Sequence, residues 1–213
     1  MTVTQETLDQ LKALGSATIH EAQDQTGAMA HGIKPIDPSC RLIGSALTVD
    51  TRPDDNLMIH FALTKAKPGD VLVVDAKGFM EAGPWGDLLT LAAMRCGIAG
   101  LIIDGAVRDA NTILDLGFPV FCRGLSIKGT NKAQPGKVNQ PIICGGVAVS
   151  PGDIVMGDRD GVVVVKAADA QKTLASAAAR EAKEDRIRER IEAGESTVDI
   201  LGLSDKLKSL GIT

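Results

Sequence analysis

Apolar and polar positions repeat along the chain in two periods, and the changes from one period to the other divide it into elements. Thr4 to Leu14 and Thr18 to Gln25 carry apolar residues at helical spacing, with Gly15 and Gly27 as stops. Arg41 to Thr51 has the composition of a strand, and Asn56 to Ala66 returns to helical spacing. Pro68-Gly69-Asp70 then turns the chain into an apolar run, Val71 to Asp75, with the length of a buried strand. A helix over Gly86 to Cys96, a strand over Gly100 to Asp104, a short helix over Ala110 to Leu116 stopped by Gly117, and a strand over Phe118 to Cys122 follow. This βαβαβ order predicts a parallel sheet, because parallel neighbours need a crossover and a helix supplies it.

Beyond Gly124 the runs shorten to Pro141–Cys144, Val147–Val149, Ile154–Met156 and Val162–Val165, and Pro151-Gly152-Asp153 repeats the earlier turn before a strand. From Ala167 an Ala-rich stretch with interleaved Glu, Lys and Arg predicts a long helix to about Ala193, and a shorter one is expected over Val198 to Leu210. The expectation is one domain over residues 1–213, a layered α/β fold with a helical C-terminal tail.

Composition narrows what this fold does. Apolar residues make up 44% of 213, enough for one sizeable core, and no linker-like stretch divides the chain. The 27 acidic and 23 basic residues leave a net charge of −4, and the aromatics are four Phe and one Trp, without Tyr. Such a chain lacks the basic field and the stacking platform of a nucleic-acid binder, so no nucleic-acid partner is expected. The start, MTVTQETLDQLKAL, has no cationic segment followed by an apolar one. The apolar stretch from Leu88 to Val107 is broken by Arg95, Gly97, Gly100 and Asp104. Neither export nor a membrane span is expected, and a cytoplasmic location follows. Cys40, Cys96, Cys122 and Cys144 form no C-x-x-C pair and read as buried free thiols.

Several familiar motifs fail on spacing. Gly129 to Val138 (GTNKAQPGKV) is not a phosphate loop, because its glycines are misplaced and no Ser or Thr follows Lys137. His20-Glu21 would open a zinc-protease helix only with His at position 24, which is Asp24. No G-x-G-x-x-G follows a strand and no G-x-S-x-G elbow occurs, which removes the main supports for dinucleotide redox and serine-hydrolase chemistry. His20, His31 and His60 lie far apart and read as surface or packing residues.

Two segments remain. Trp85-Gly86-Asp87-Leu88-Leu89 precedes a helix, and the strand ending at Asp104 runs through Gly105-Ala106-Val107-Arg108-Asp109 into the next helix. Both lie at the carboxyl edge of a parallel sheet, where open α/β folds bind ligands. Free N–H groups of Leu88 and Leu89 at the helix start would receive a small carboxylate, and Arg108 adds a planar cationic fork for the same anion. Asp87 and Asp109 offer hard oxygen ligands suited to magnesium or manganese. A second reading stays open on these residues: Asp87 and Asp109 also stand where helix N-caps belong, Arg108 could simply pair with one of them, and Thr18-Ile19-His20-Glu21 fits a capping box.

Gly86-Asp87-Leu88-Leu89, Asp104 to Asp109, Gly117-Phe118-Pro119-Val120, Pro151-Gly152-Asp153 and Asp160 to Val165 together resemble the 4-hydroxy-4-methyl-2-oxoglutarate / 4-carboxy-4-hydroxy-2-oxoadipate aldolases of the RraA-like superfamily. The resemblance spans nearly the whole chain. Ala17 to Ala22 and Arg180-Glu181-Ala182-Lys183-Glu184 are similar to the aldolase branch in particular, whereas Glu195 to Leu201 stands where those aldolases carry a Gly-Leu and a Tyr. That departure bears on substrate identity.

The resemblance implies an αββα-type sandwich assembled as a trimer or a dimer of trimers, with active sites between subunits. It implies that Arg108 binds a 2-oxo acid substrate, that Gly86, Leu88 and Leu89 help bind it, and that Asp109 holds magnesium or manganese. Asp87 would orient a metal-bound water, and Glu21 and Glu184, or Glu181 in place of Glu184, would reach in from an adjacent subunit. The implied activity is class II cleavage of a 4-hydroxy-2-oxo acid to pyruvate, with oxaloacetate decarboxylation through the same enolate. No lysine imine is needed, and Lys65, Lys67, Lys77 and Lys128 show no pattern for one. The other branch of the superfamily implies the alternative, a non-catalytic regulator of ribonuclease E.

Overall fold

The computed structural model describes residues 3–212. In chain order the elements are α1 (Gln5–Leu14), α2 (Ser16–Ala22), β1 (Lys34–Pro35), β2 (Leu42–Asp50), α3 (Leu57–Leu63), β3 (Asp70–Phe79), α4 (Asp87–Arg95), β4 (Gly100–Val107), α5 (Ala110–Asp115), β5 (Val120–Cys122) and β6 (Gly124–Leu125). Then come β7 (Lys137–Val138), β8 (Ile142–Cys144), β9 (Val147–Val149), β10 (Ile154–Gly157), β11 (Val162–Val165), a 3-10 turn (Ala167–Asp169), α6 (Ala170–Glu192), α7 (Thr197–Ile200) and α8 (Ser204–Ser209).

The expected mixed α/β architecture is present. One sheet runs in the order β1-β5-β4-β3-β2-β10-β11, and β8-β9 forms a separate hairpin. Strands β2, β3, β4 and β5 are mutually parallel, while β10 joins β2 and β11 joins β10 antiparallel. The sheet curls until it nearly closes, so that a Cβ on Gly157 of β10 would lie 2.7 Å from the Phe121 ring of β5.

Alternation along the strands sorts the core into layers. Leu72 and Val74 of β3, with Leu101 and Ile103 of β4, face Ile59, Leu89 and Ile113 of α3, α4 and α5. Val71, Val73 and Ile102 face the other way, against Ile142, Cys144 and Val149 of the hairpin. Ile154, Met156, Val163 and Val165 carry Leu11 and Ile19 of the two N-terminal helices. Beyond Ala177 no described residue is buried, although α6 stays in contact with α2 through Arg180 and Glu181 before the two short terminal helices.

Where the structure departs from the pattern, contacts distant in sequence decide. Helix α2 starts at Ser16 rather than Thr18, because the Asp158 carboxylate caps it from across the fold, accepting from Ser16 N at 2.8 Å and from Ser16 Oγ at 2.6 Å. Thr18 therefore lies inside the helix, and the capping-box reading of Thr18 and Glu21 does not hold. The expected tail helix over Val198–Leu210 is two short helices, divided where Gly202 takes φ +64°. Of the four cysteines, Cys122 and Cys144 are buried and Cys40 and Cys96 only half-buried. Burial pushes the Cys122 thiol up to about 11, and Cys144 is raised as well, so neither is a nucleophile at neutral pH.

Candidate active site

Strand β3 delivers the chain toward α4, and β4 delivers it to Arg108. The two deliveries are tied together: Arg108 N donates to Trp85 O at 2.9 Å. Trp85 is fully buried, stacks on Phe118 at 6.1 Å between ring centroids, and donates through Nε1 to Thr90 Oγ1 at 2.8 Å. Thr90 Oγ1 in turn donates to Gly86 O at 3.0 Å, so the first turn of α4 is fixed from below. Gly86 gives the room above it. A Cβ there would lie 2.4 Å from Asp109 Oδ2 and 3.1 Å from Arg108 Nε, closer than packed atoms approach.

Asp109 occupies the N-cap position of α5 but makes no side-chain cap bond. Its backbone is left-handed, φ +57°, a conformation that costs a residue with a Cβ about 1–2 kcal/mol and that Asp tolerates better than most. That turn aims the carboxylate at α4, with Oδ2 3.3 Å from Asp87 N and 3.4 Å from Arg108 Nε. Asp109 therefore does not cap α5, the helix it precedes; its carboxylate accepts from the first N–H of α4 and pairs with Arg108. Asp87 is the first residue of α4, behind the N-cap Gly86, and its Oδ1 accepts from Leu88 N at 2.7 Å. This local bond covers the Leu88 N–H that the sequence left free for an anion, while Leu89 still lines the cleft.

Arg108 stands between two hollows. One, of about 120 Å³, is lined by Asn56, His60, Pro84, Gly86 to Leu89, Arg108 and Lys132. The other, of about 270 Å³, is lined by Arg108 to Ala110 and Leu125 to Ile127, with Ile127 almost wholly exposed. A further cavity of about 360 Å³, bounded by Gln23, Gly27, Lys166 and Lys172 among others, contains none of these groups. Asp24 and Asp169 line it beside its lysines, but it holds no planar guanidinium fork, so the Arg108 cleft is the stronger candidate for a 2-oxo acid.

Asn56, His60 and Lys132 escaped the sequence reading, since Lys132 arrives on a loop 76 positions after Asn56. The available signal was Asp54-Asp55-Asn56, three polar residues directly before an apolar helix. Asn56 Nδ2 donates to Pro84 O at 2.9 Å, and its Oδ1 is buried without a protein partner. Burial, and then the Lys132 charge, hold the His60 imidazole below its ordinary range, which favours the neutral ring at pH 7.

Glu21 and Glu184 come together elsewhere. Both carboxylates pair with Arg180, Glu184 at 2.9 Å from its Nε, and Glu184 also lies 3.4 Å from Arg188 Nη2. Glu181 lies 3.2 Å from Arg188 Nη1 and 3.5 Å from Thr18 Oγ1. None of these hydrogen bonds or ion pairs reaches Arg108, Asp109 or Asp87 of the same chain.

Asp87 and Asp109 bring hard-oxygen groups to the two hollows on either side of Arg108, and no three His, Cys, Asp or Glu side chains gather as a cation cage among the described residues. Two carboxylates at an open cleft fit a magnesium-class ion that keeps most of its waters, and do not fit a closed tetrahedral zinc site. Lys77 and Lys128 are ion-paired, with Asp50 and Asp75 and with Glu81 respectively. Burial alone would lower the Lys77 amine, but its two carboxylates hold it above the usual range; Lys128 is raised by Glu81. Amines held protonated in this way are poor imine formers.

A family model described as Aldolase/RraA, RraA-like, matches residues 16–164. A protein of Halalkalibacterium halodurans, provisionally named a 4-hydroxy-4-methyl-2-oxoglutarate aldolase, is 38% identical over 183 residues, covering 86% of this chain and 87% of the relative. The crystal structure of an uncharacterized protein from Pseudomonas syringae superposes with a TM-score of 0.81 at 30% identity, over 92% of this chain and 96% of the other. RraAS2 of Streptomyces coelicolor, described as an unusual member of the RNase ES inhibitor RraA family, superposes with a TM-score of 0.79 at 33% identity, over 88% and 98%.

Proposed function

The chain belongs to the RraA-like family, and from that premise we propose that it is a divalent-cation-dependent lyase that cleaves 4-hydroxy-2-oxo acids of the 4-hydroxy-4-methyl-2-oxoglutarate type to pyruvate and decarboxylates oxaloacetate. The observation that carries the reading is the meeting of Arg108, Asp109 and Asp87 at the wall between two adjoining hollows, with the Asp109 carboxylate turned toward α4 and Arg108. Arg108 holds the carboxylate and the C2 oxygen of the substrate through its planar fork. Asp109, with Asp87 beside it, would hold a magnesium or manganese ion, which when bound would supply Lewis-acid stabilisation of charge on the C2 oxygen.

In this reading a water oriented by Asp87 accepts the proton of the C4 hydroxyl. As the C3–C4 bond breaks, its electron pair moves into the C2–C3 bond, and the C2 oxygen takes up negative charge beside Arg108. Return of a proton to C3 gives pyruvate, and the C4 fragment leaves as a carbonyl compound. Oxaloacetate loses carbon dioxide to the same enolate. Lys132 lines the cleft with Arg108 and suits a substituent bearing a second acidic group, while the unpartnered Asn56 Oδ1 can accept from a hydroxyl or a water. We place the working assembly as a cyclic trimer in which Glu21 and Glu184 serve a neighbour's cleft, consistent with their lack of contact to Arg108 within one chain.

The test is a panel of 4-hydroxy-2-oxo acids and oxaloacetate, assayed for pyruvate with magnesium or manganese and again in chelator. Metal-dependent pyruvate release from one or more of them is expected. No release from any, together with recovery of a ribonuclease bound to the purified protein, would overturn the reading in favour of a protein-binding regulator.

Gly86→Ala is a finer check. The added methyl displaces the Asp109 carboxylate without touching the core, so kcat/KM should fall about 10- to 100-fold, the scale of a misplacement near 1 Å. Thermal melting should stay close to that of the parent. Unchanged kinetics would remove Gly86 and Asp109 from the site.

A further inference from the structure

The segment from Ser126 to Gly136 crosses between β6 and β7 and carries Lys132 to the cleft. It has little regular structure, yet it is held at several points by residues just before α3. Asp55 is 1% exposed, and its Oδ2 accepts from Ala133 N at 2.7 Å and from Gln134 N at 3.0 Å. Its Oδ1 accepts from Leu57 N at 2.9 Å, so the same carboxylate also caps the helix that carries His60. On one side Asn56 N donates to Asn131 O at 3.1 Å, and Asn131 N donates to Asp54 O at 2.9 Å. Asp54 is left-handed, φ +57°, and its carboxylate accepts from Asn131 Nδ2 at 2.9 Å.

A fully buried carboxylate is costly unless its oxygens are satisfied, and here the donors are backbone groups of a loop rather than a partner cation. Burial pushes the Asp55 carboxyl up, but the three N–H donors, helped by Lys132, hold it below the usual carboxylate range. The bonds are therefore made by the ionised form at neutral pH. Core packing does not require this arrangement, because α3 needs only one cap and a surface crossing needs no buried charge.

We propose that Asp55 is a positioning residue that sets the selectivity of the cleft: by holding the backbone at Ala133 and Gln134 it places Lys132 beside Arg108, where Lys132 meets the second acidic group of the substrate. The proposal rests on the aldolase reading above for the identity of that substrate. Asp55 itself touches neither substrate nor metal in this account. Its effect passes through Lys132, and the preference for dicarboxylic over monocarboxylic 2-oxo acids is the quantity it controls.

The test compares the parent with Asp55→Asn, Lys132→Met and the double variant on 4-hydroxy-4-methyl-2-oxoglutarate, which has two carboxylates, and 4-hydroxy-2-oxopentanoate, which has one. Asp55→Asn should reduce the preference for the dicarboxylate about tenfold, the scale of one charge-assisted contact, with the change in KM larger than that in kcat. Lys132→Met should do the same, and the double variant should be no worse than Lys132→Met alone, because both changes remove one interaction. A preference unchanged in folded Asp55→Asn, or additive losses in the double variant, overturns the proposal.

Should Asp55→Asn fail to fold, Asn131→Ala loosens the same crossing from its exposed end and should lower the preference about two- to threefold, a fraction of one hydrogen bond. An unchanged preference there counts against the proposal equally. Calorimetric binding of 2-oxoglutarate and pyruvate, in magnesium, reads selectivity without turnover. If the parent cleaves neither substrate but Asp55→Asn loses a 2-oxoglutarate preference that the parent has, the aldolase reading fails and the role of Asp55 stands. If the parent is an active aldolase and neither measurement moves, the role of Asp55 fails alone.

Discussion

Arg108→Lys is expected to lower kcat on the order of 10²–10³-fold although the charge is kept, the cost of losing one oxyanion donor. Arg108 reaches the cleft as a planar group, with Nε 3.4 Å from Asp109 Oδ2 and its backbone N–H tied to Trp85 O. A lysine ammonium at the same position is a point charge on a flexible stem, and it cannot present two parallel N–H groups to a carboxylate and a neighbouring enolate oxygen. The side chain of Arg108 is about two-fifths exposed, so the core should not notice the exchange and the melting temperature should stay near that of the parent. The measurement is steady-state pyruvate release with magnesium, with circular dichroism on the same samples. Kinetics within a few-fold of the parent, in a normally folded variant, would make Arg108 a structural partner of Asp109 and leave the cleft without its anion receptor.

Much of the frame that holds Arg108 was legible from local pattern. The strands β2, β3 and β4 and the helices α4 and α5 announce themselves through periodicity and Gly stops, and their ends in the structure differ from the expectation mostly by one or two residues, though β3 and β4 run three or four residues past it. Position at the carboxyl edge of a parallel sheet followed from that order, and it put Gly86, Asp87, Arg108 and Asp109 in one place before any coordinate did. What was not legible depends on partners far along the chain. The two-residue strands β1, β6 and β7 are too short to show a period. Asp158 moves the start of α2, and Asp55 binds the loop backbone next to Lys132, across 142 and 78 positions respectively. The left-handed turn at Asp109 belongs to the same class: Asp before a helix signals a cap, and only the position of α4 shows why the carboxylate turns the other way.

Mixed trimers should recover activity that neither parent has. Arg108→Ala and Glu184→Ala homotrimers are each expected to be nearly inactive if a cleft takes Arg108 from one chain and Glu184 from the next. Within a chain Glu184 is engaged by Arg180 and Arg188, on α6, and makes no contact with Arg108. A carboxylate presented in this way is free to face a neighbour once the arginines share its charge. In a cyclic trimer the contact repeats head to tail, so each cleft draws on two independently chosen chains. Random equal assembly leaves each of the two needed side chains intact in half the cases, so about a quarter of the clefts should be whole. Co-refolded mixtures should therefore reach about a quarter of the rate per cleft of the unsubstituted protein, whereas mixtures made without subunit exchange should stay inactive. Verified mixed trimers without activity would mean that Glu184 acts inside its own chain or that Glu181 does its work. Repeating the mixture with Glu181→Ala separates these, because Glu181 pairs with Arg188 rather than Arg180 and its loss leaves the Glu21–Arg180–Glu184 group intact.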